Sequence, residues 1–484
     1  MENNYRCRFQ KITINNLKNV GHGEVCFSCN LNEDVFCKQA DILGIYGQNG
    51  SGKTTLIFAI DLLQQLLSGR RLWSDSERFI RVGEESAEVE YEFSLENSIY
   101  GQMLVKYGVT LKKKENTDVV SNVEGIEEED HVKESPVYVS QEYLKYKKID
   151  GDKGNSYSGI VVYTYGDKPA CFSPDVRFKE FISKDKTLAD DLRYVRSAIY
   201  KSGASFIFSI ARIKNVRERQ GFSDEILFVM NSIQMFAVSK LFVLSNVQAS
   251  IVNANIVLPM TFSMLDKDNK SFSQVNIRIK LTDETAVDTE FFEMISKRFG
   301  IIDSVISKIV PNLSIKVANR GNRIDEKGVQ FTIFELLSVR NEKEIPLRYE
   351  SDGIKKLVYI LYGLIEMFND ESVTVAIDEL DSGVFEYLLG EMLTVLQEYA
   401  KGQLIFTSHN LRALEVLDKR NVIFSTTNPV NRYIRFKYVK GTNNLRDVYY
   451  QDILLGGQDE CVYEPTSQSD MRRAFRKAGI ELNG

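Results

Sequence analysis

The chain has 484 residues, 43% apolar and 26% charged, with 61 Lys and Arg against 67 Asp and Glu. That length corresponds to about three units of ~150 residues, burying roughly three-quarters of the unfolded surface. The composition excludes a disordered scaffold, a collagenous or low-complexity chain and a stapled mini-protein, and the net charge of −6 advertises no basic field for nucleic acid, although a local basic stripe can sit inside an acidic total.

Six cysteines are too few for a disulfide framework. The start, Met1 to Arg8, lacks the apolar core of a signal peptide. The longest uncharged run, Leu241 to Leu265, carries Asn246, Gln248, Asn253, Asn255 and Pro259, which are costly in hydrocarbon and mark buried core rather than a membrane span. A soluble, cytoplasmic protein with no membrane contact is expected.

In chain order, Lys11–Asn15 and Glu24–Ser28 read as paired strands, and Asp41–Tyr46 as a short buried strand. Ala87, Val89, Tyr91 and Phe93 alternate with three glutamates, the pattern of a half-exposed strand. Lys112 to Glu134 is polar around Glu127–Asp130 and predicts a surface loop. Between Thr187 and Val247 apolar residues recur at helical spacing, through Leu192, Val195 and Ile199, then Ile226, Val229, Ile233 and Phe236. A strand over Ser273–Leu281 and a helix over Glu290–Phe299 follow, and from Ile301 short strands and helices alternate. No solenoid repeat or long heptad run occurs.

The sharpest motif is Gly47-Gln-Asn49-Gly50-Ser51-Gly52-Lys53-Thr54-Thr55, directly after the strand Asp41–Tyr46. Glycines let backbone N–H groups turn inward around phosphates, and the following helix, with Leu56, Ile60, Leu63 and Leu67 on one face, adds its positive end. Lys53 would reach the β and γ phosphates, and Thr54 would offer its hydroxyl to Mg²⁺. Far along the chain, the apolar strand Val373–Ile377 ends in Asp378-Glu379, placed to hold Mg²⁺ through water and to polarise an attacking water. Ser351-Asp352-Gly353 opens an amphipathic helix to about Phe368, and a hydroxyl, a glycine and a helix N-terminus together suit an anion. The strand Gln403–Thr407 runs into Ser408-His409, one of three histidines in the chain; it is either structural or a sensor of the γ-phosphate.

In this order, these motifs resemble an ABC-type ATPase of the SMC, RecF and OLD branch. The resemblance implies an α/β P-loop head, a mixed sheet with an antiparallel lobe, interrupted by a mainly helical insertion. It also implies a homodimer or higher even oligomer sandwiching two ATP, each site completed by the Ser-x-Gly motif of the other subunit, with Asp381 as the residue crossing the interface. Glu350-Ser-Asp-Gly353 stands where much of the branch has Leu-Ser-Gly-Gly, a form the OLD-like ATPases share. The stretch Ile345–Lys356 further resembles stand-alone ATPases of abortive-infection and phage-defence systems of the RloA, AbiL and PARIS type, which act with a separately encoded Toprim-like nuclease. A glutamine should lie near the metal in this family; Gln141, after the strand-like Val137–Ser140, is the candidate, and a plain surface glutamine is the competing reading.

Other signals carry less. His22, Cys26, Cys29 and Cys37 suggest zinc, but the x₂ spacing within a strand sends two of them to opposite faces. Asp266 and Asp268 read as a hairpin turn, since the calcium-loop Gly and Glu are missing. Arg212, Lys214, Arg217 and Arg219, and Arg472, Arg473, Arg476 and Lys477, are solvated helix faces or a DNA contact. After His409 too little chain remains for a nuclease domain, so none is expected. The expected organisation is residues 1–150 and 301–484 as the head, with 151–300 as a lid or dimerisation lobe.

Overall fold

The computed structural model describes residues 5–27, 36–114, 134–149, 156–165, 186–210, 224–265, 272–324, 328, 330–437, 439 and 444–483. The hairpin β1 (Tyr5–Leu17) and β2 (Val20–Cys26) precedes β3 (Asp41–Tyr46), which feeds α1 (Lys53–Leu67). β4 (Ser86–Asn97), β5 (Gly101–Lys113), β6 (Val137–Lys148) and β7 (Ser158–Thr164) then run back and forth. α2 (Lys186–Ser202), α3 (Phe206–Ile210) and α4 (Asp224–Met235) lead to β8 (Leu241–Leu244), α5 (Asn246–Asn253) and the hairpin β9 (Val257–Leu265) with β10 (Phe272–Lys280). β11 (Thr285–Asp288), α6 (Thr289–Ile309), β12 (Ser314–Ile324), β13 (Gln330–Arg340) and β14 (Lys343–Pro346) follow. The chain closes with α7 (Asp352–Asn369), β15 (Thr374–Ile377), α8 (Glu386–Tyr399), β16 (Gln403–Thr407), α9 (Arg412–Val416), β17 (Val422–Ser425), β18 (Tyr433–Ile434), α10 (Leu445–Leu455) and α11 (Gln468–Asn483).

Two six-stranded sheets position the site. One is antiparallel, in the order β2-β1-β4-β5-β6-β7; the other runs β18-β17-β3-β16-β15-β8 and is parallel except for edge strand β18. The fold is therefore mixed α/β. Strands β3, β15, β16 and β17 are buried along their whole length, as parallel strands covered on both faces must be. Leu43 and Ile45 of β3 enter the core shared with α1 and the antiparallel sheet, while Ile42 and Tyr46 enter the core formed with α6, α7 and α8. The alternation expected in β4 holds, with Ala87, Val89, Tyr91 and Phe93 buried.

One buried side chain joins the two sheets. Gln403 on β16 accepts the Phe9 N–H at 2.8 Å and donates to the Phe9 carbonyl at 2.9 Å, while Thr374 Oγ1 donates to it at 3.2 Å. Every polar atom of that amide would otherwise be stranded in an apolar layer.

Among the described residues the middle of the chain is mainly helical, as expected, but strands join it too. Helices α2, α3 and α4 form, but β7 completes the antiparallel sheet and β8 pairs in parallel with β15 of the head. The hairpin β9–β10 and strand β11 also fall within 151–300. The reason is local ambiguity: Leu241-Phe-Val-Leu244 continues the apolar spacing of α4, and a run of four apolar residues does not declare its own period. The polar stretch 115–133, the basic stretch 212–219 and Asp266–Asp268 lie outside the described residues. Among the described residues no helix is long and apolar enough to cross a membrane.

Candidate functional site

Side by side, β3, β16 and β15 deliver the loops at their C-terminal ends to one edge, where open parallel sheets bind ligands. The first loop, Gly47–Gly52, starts at a glycine with φ of 148°, and a Cβ there would stand 2.1 Å from Ser425 Oγ and 2.7 Å from the Ser425 carbonyl. Only a residue without a side chain lets the loop turn so close to β17. Ser51 Oγ donates to the Gln48 carbonyl at 2.6 Å, and Asn49 and Gly50 form the exposed tip. Gly52, left-handed at φ 94°, opens α1 with no side-chain cap, so the first-turn N–H groups keep no side-chain acceptor. Lys53, largely buried, folds over this cradle and donates to the carbonyls of Gly47 and Gln48, both at 2.9 Å.

The second and third loops meet the first at Asp378. Its Oδ1 accepts from Thr407 Oγ1 at 2.6 Å and from Thr54 Oγ1 at 3.3 Å, while its Oδ2 is buried without a hydrogen-bond partner among the described residues. Burial raises the Asp378 carboxyl above its ordinary value, against the hydrogen bonds from Thr407 and Thr54. An unpartnered buried carboxylate oxygen beside a threonine hydroxyl is the oxygen donor set of a hard divalent cation, so these residues fit Mg²⁺. The glycine cradle with its helix N-terminus and lysine fits a phosphate chain.

Glu379, next along, has φ of 49°, in the left-handed region that side chains other than glycine rarely adopt. Two partners hold it there: its N–H donates to Thr407 Oγ1 at 2.7 Å, and the Lys356 ammonium of α7 donates to its carbonyl. Burial lowers Lys53 and Lys356 from the ordinary lysine range, while Asp378, Glu379 and Asp381 oppose that shift in both. His409 is exposed at the end of β16, and its N–H donates to Asp381 Oδ2 at 3.1 Å. Desolvation, then the Lys53 charge, lower its imidazole from the ordinary histidine value against the pull of Asp381, Glu379 and Asp378, which favours the neutral form.

Ser351 caps α7, accepting the Ile354 N–H at 3.4 Å, and together with Asp352 lies exposed. No hydrogen bond joins Ser351, Asp352 or Gly353 to the loop 47–54 among the described residues. Gly353 instead packs on the turn that follows Asp381: a Cβ on it would lie 2.0 Å from the Gly383 carbonyl oxygen.

Two expected residues lie elsewhere. Thr55 donates to Asn19 Oδ1 at 2.8 Å, which fastens α1 to the β1–β2 turn instead of facing the cradle. Gln141 sits in β6 in the row Gln141–Thr110–Glu88–Asn15, exposed and three strands from β1, or about 14 Å at the usual strand spacing. The strand whose C-terminal end does reach the site is β8, since the Asp378 N–H donates to the Leu244 carbonyl at 3.0 Å. The strand-like run before Gln141 belongs to the antiparallel sheet, and among the described residues no hydrogen bond joins Gln141 to Thr54 or Asp378.

Of the cysteine cluster, His22 Nδ1 pairs with Asn15 Oδ1 at 2.7 Å, Cys37 is disulfide-bonded, and Cys29 lies outside the described residues. Among the described residues no group of three potential ligands is placed to hold a metal. Sequence reasoning missed Thr407, Lys356 and Ser425. Thr407 was legible as the last residue of a buried strand beside the Asp-Glu pair, whereas Lys356 and Ser425 carry no local signal.

No protein-family model matches the chain, and no curated protein matches it. It is similar to an SMC head domain with an extended coiled coil bound to the C-terminal domain of ScpA, from Pyrococcus furiosus, with 14% identity, 88% of this chain and 96% of that one covered and a TM-score of 0.38. It is similar also to the SMC head domain from Thermotoga maritima, at 14% identity, 89% and 99% coverage and a TM-score of 0.34. A third similar structure is the recombination mediator protein RecF with ATP, at 14% identity, 84% and 93% coverage and a TM-score of 0.33.

Proposed function

We propose that the chain binds and hydrolyses ATP at the edge formed by β3, β15 and β16, as an ABC-type ATPase. The observation that carries this is Asp378, with one oxygen tied to Thr54 and Thr407 and the other unpartnered, at the mouth of the Gly47–Thr54 cradle. The loop N–H groups and Lys53 bind and orient the phosphates, and Lys53 exchanges its two carbonyl partners for phosphate oxygens. Thr54 and Asp378 would hold Mg²⁺, which supplies charge neutralisation on the β and γ phosphates when bound. Glu379 accepts the proton of the attacking water, and neutral His409 donates a hydrogen bond to the γ-phosphate.

The exposed Ser351-Asp352-Gly353 helix end, unconnected to its own cradle, supports a site completed in trans, so that two copies close on two ATP. Residues 1–150 and 301–484 supply the cradle, the carboxylates and the helix end, with 151–300 as lid or dimerisation lobe. In the cell, closure gates a phage-defence complex that controls a separately encoded Toprim-like nuclease, as the Ile345–Lys356 stretch supports. The competing reading, a clamp closing on duplex DNA in the RecF manner, is favoured by the exposed basic residues of α11; salt-dependent duplex binding by the closed dimer separates the two.

Two substitutions test the site. Glu379→Gln should bind ATP normally, lose turnover at least 100-fold and accumulate a closed dimer, whereas Lys53→Ala should lose binding and turnover together. Wild-type turnover in Glu379→Gln, measured as phosphate release, rejects the assignment.

A further inference from the structure

Apart from the phosphate cradle, the chain encloses a cavity of about 630 Å³, walled by α1, β8, α5, the hairpin β9–β10, α6 and α7. Neither the loop 47–54 nor Asp378, Glu379 or Asp381 lines it, so it is a second site. Leu258, Met260, Ile302, Val358, Tyr359 and Tyr362 give it largely apolar walls, and its volume suits a small organic molecule.

The polar groups in the wall are few and directed. A π-helical turn, Phe236–Lys240, carries α4 into β8 and lends Val238 and Ser239 to the lining; turns of this kind are rare and gather at functional sites. Gln64 Nε2 donates to the carbonyls of Ala237 at 3.1 Å and Leu241 at 2.6 Å. Those two bonds fix the amide, and its Oε1 is left as an acceptor without a partner among the described residues. Gln248 is the reverse case. Its Oε1 accepts from the Tyr359 hydroxyl at 2.7 Å and the Ser245 N–H at 3.4 Å, and its Nε2 keeps both donors unspent among the described residues.

The charges in the lining offset one another. Burial pushes Asp61 up to about 6 and Arg70 down, and each charge opposes the other's shift. The Arg298 guanidinium lies 3.6 Å from the centre of the Tyr362 ring, donates to the Thr261 carbonyl at 2.6 Å, and feels the Glu366 charge against its own burial. Arg278 is exposed and keeps its water. A charged guest would therefore enter without a counter-charge, which is costly in an apolar chamber.

We propose that this cavity binds an uncharged nucleoside, whose base lies between the apolar walls, donates to Gln64 Oε1 and accepts from Gln248 Nε2. A nucleobase joins donors and acceptors on the edge of one flat ring, which is what two oppositely directed amides in an apolar wall require. A hydrocarbon is the poorer occupant, since it would dry both amides without pairing them. Three walls lead to the nucleotide site: the Leu244 carbonyl of β8 accepts the Asp378 N–H, Lys356 of α7 holds the Glu379 carbonyl, and α1 begins at Lys53. Occupancy therefore changes ATP turnover, a consequence that rests on the ATPase reading above, whereas the binding itself does not.

The test titrates adenosine, guanosine, cytidine and uridine by calorimetry into the full chain carrying Lys53→Ala, which disables the cradle. One of them should bind with a dissociation constant below about 1 mM. Gln248→Glu keeps the oxygen that Ser245 and Tyr359 use but removes the donors, and Ile256→Trp fills the chamber from a half-exposed lining position. Each should weaken that binding at least tenfold with the melting temperature retained. No binding by any of the four, or binding that both variants leave unchanged, overturns the site. A 5′-monophosphate binding tenfold tighter than its nucleoside overturns the uncharged guest. In the chain with Lys53 intact, phosphate release should change at least twofold when the nucleoside saturates; an unchanged rate overturns the coupling and leaves the site standing, and no release at all overturns the ATPase reading alone.

Discussion

At Gly353 a single hydrogen atom decides the geometry of two motifs. A methyl group there would stand 2.0 Å from the Gly383 carbonyl, and the obstacle is backbone, which yields less readily than a side chain. Gly353→Ala should therefore cost about 1–3 kcal/mol of stability and lower ATP turnover while leaving ATP binding in place, as read by thermal melts and phosphate release. Gly300→Ala is the matched control: it lies within α6 with open space around it, and should stabilise by about 0.5–1 kcal/mol. An equal loss in both variants would remove the clash as the cause. At this scale the sequence is informative where chemistry is local. Gly47, Lys53, Thr54 and Asp378 could be read because each motif sits at the end of an apolar strand, and their meeting follows from the parallel sheet. Gln141 could not be placed, because its surroundings depend on which sheet its strand joins. Lys356 reaches Glu379 only through the packing of α7, which no spacing announces.

Among the elements, α3 shows how a short helix is held by a charge that the sequence does not explain. Glu142 is fully buried in β6; its Oε2 accepts the N–H groups of Phe206 and Ile207 at 2.8 and 3.2 Å, and its Oε1 accepts from the Tyr107 hydroxyl at 2.6 Å and from Ser205. Burial raises this carboxyl above its ordinary value, and the hydrogen bonds only partly offset the shift. A raised carboxyl penalises folding once it ionises, so its cost is absent below the unfolded value near ~4.3 and grows as pH climbs through the raised folded value. Glu142→Gln keeps an oxygen for both backbone donors and an amide for the hydroxyls. Its unfolding midpoint should sit near that of the wild type at about pH 4 and gain on it as pH rises; parallel pH profiles would show that the carboxylate is not the source. Glu142→Ala strands four donors and should cost about 3 kcal/mol at low pH, a loss that shrinks as pH rises because the ionisation cost of the wild type goes with the carboxyl. β4 was legible for the opposite reason, since its alternation repeats the pleat directly, whereas β8 is four apolar residues whose partner lies far along the chain.

For the molecule as a whole, the two-copy site makes a prediction no single residue makes. Lys53→Ala and Ser351→Arg damage opposite halves of each composite pocket, so either variant alone should be inactive. Mixed in equal amounts they form about half mixed pairs, each with one intact site, and around a quarter of wild-type turnover should return if the sites fire independently. If mixing restores neither turnover nor ATP-driven pairing, Ser351 is an ordinary helix cap. The same architecture has a cost during synthesis. β3, which launches the phosphate loop, is flanked by β16 and β17 and by nothing nearer in the chain. On the ribosome this strand, apolar after Asp41, leaves the exit tunnel about 350 residues before its first neighbour, a wait of roughly 20–70 s at common elongation rates. Through that interval both of its edges are open to the wrong partner, and a message cut short before β16 yields a product that cannot assemble the cradle at all.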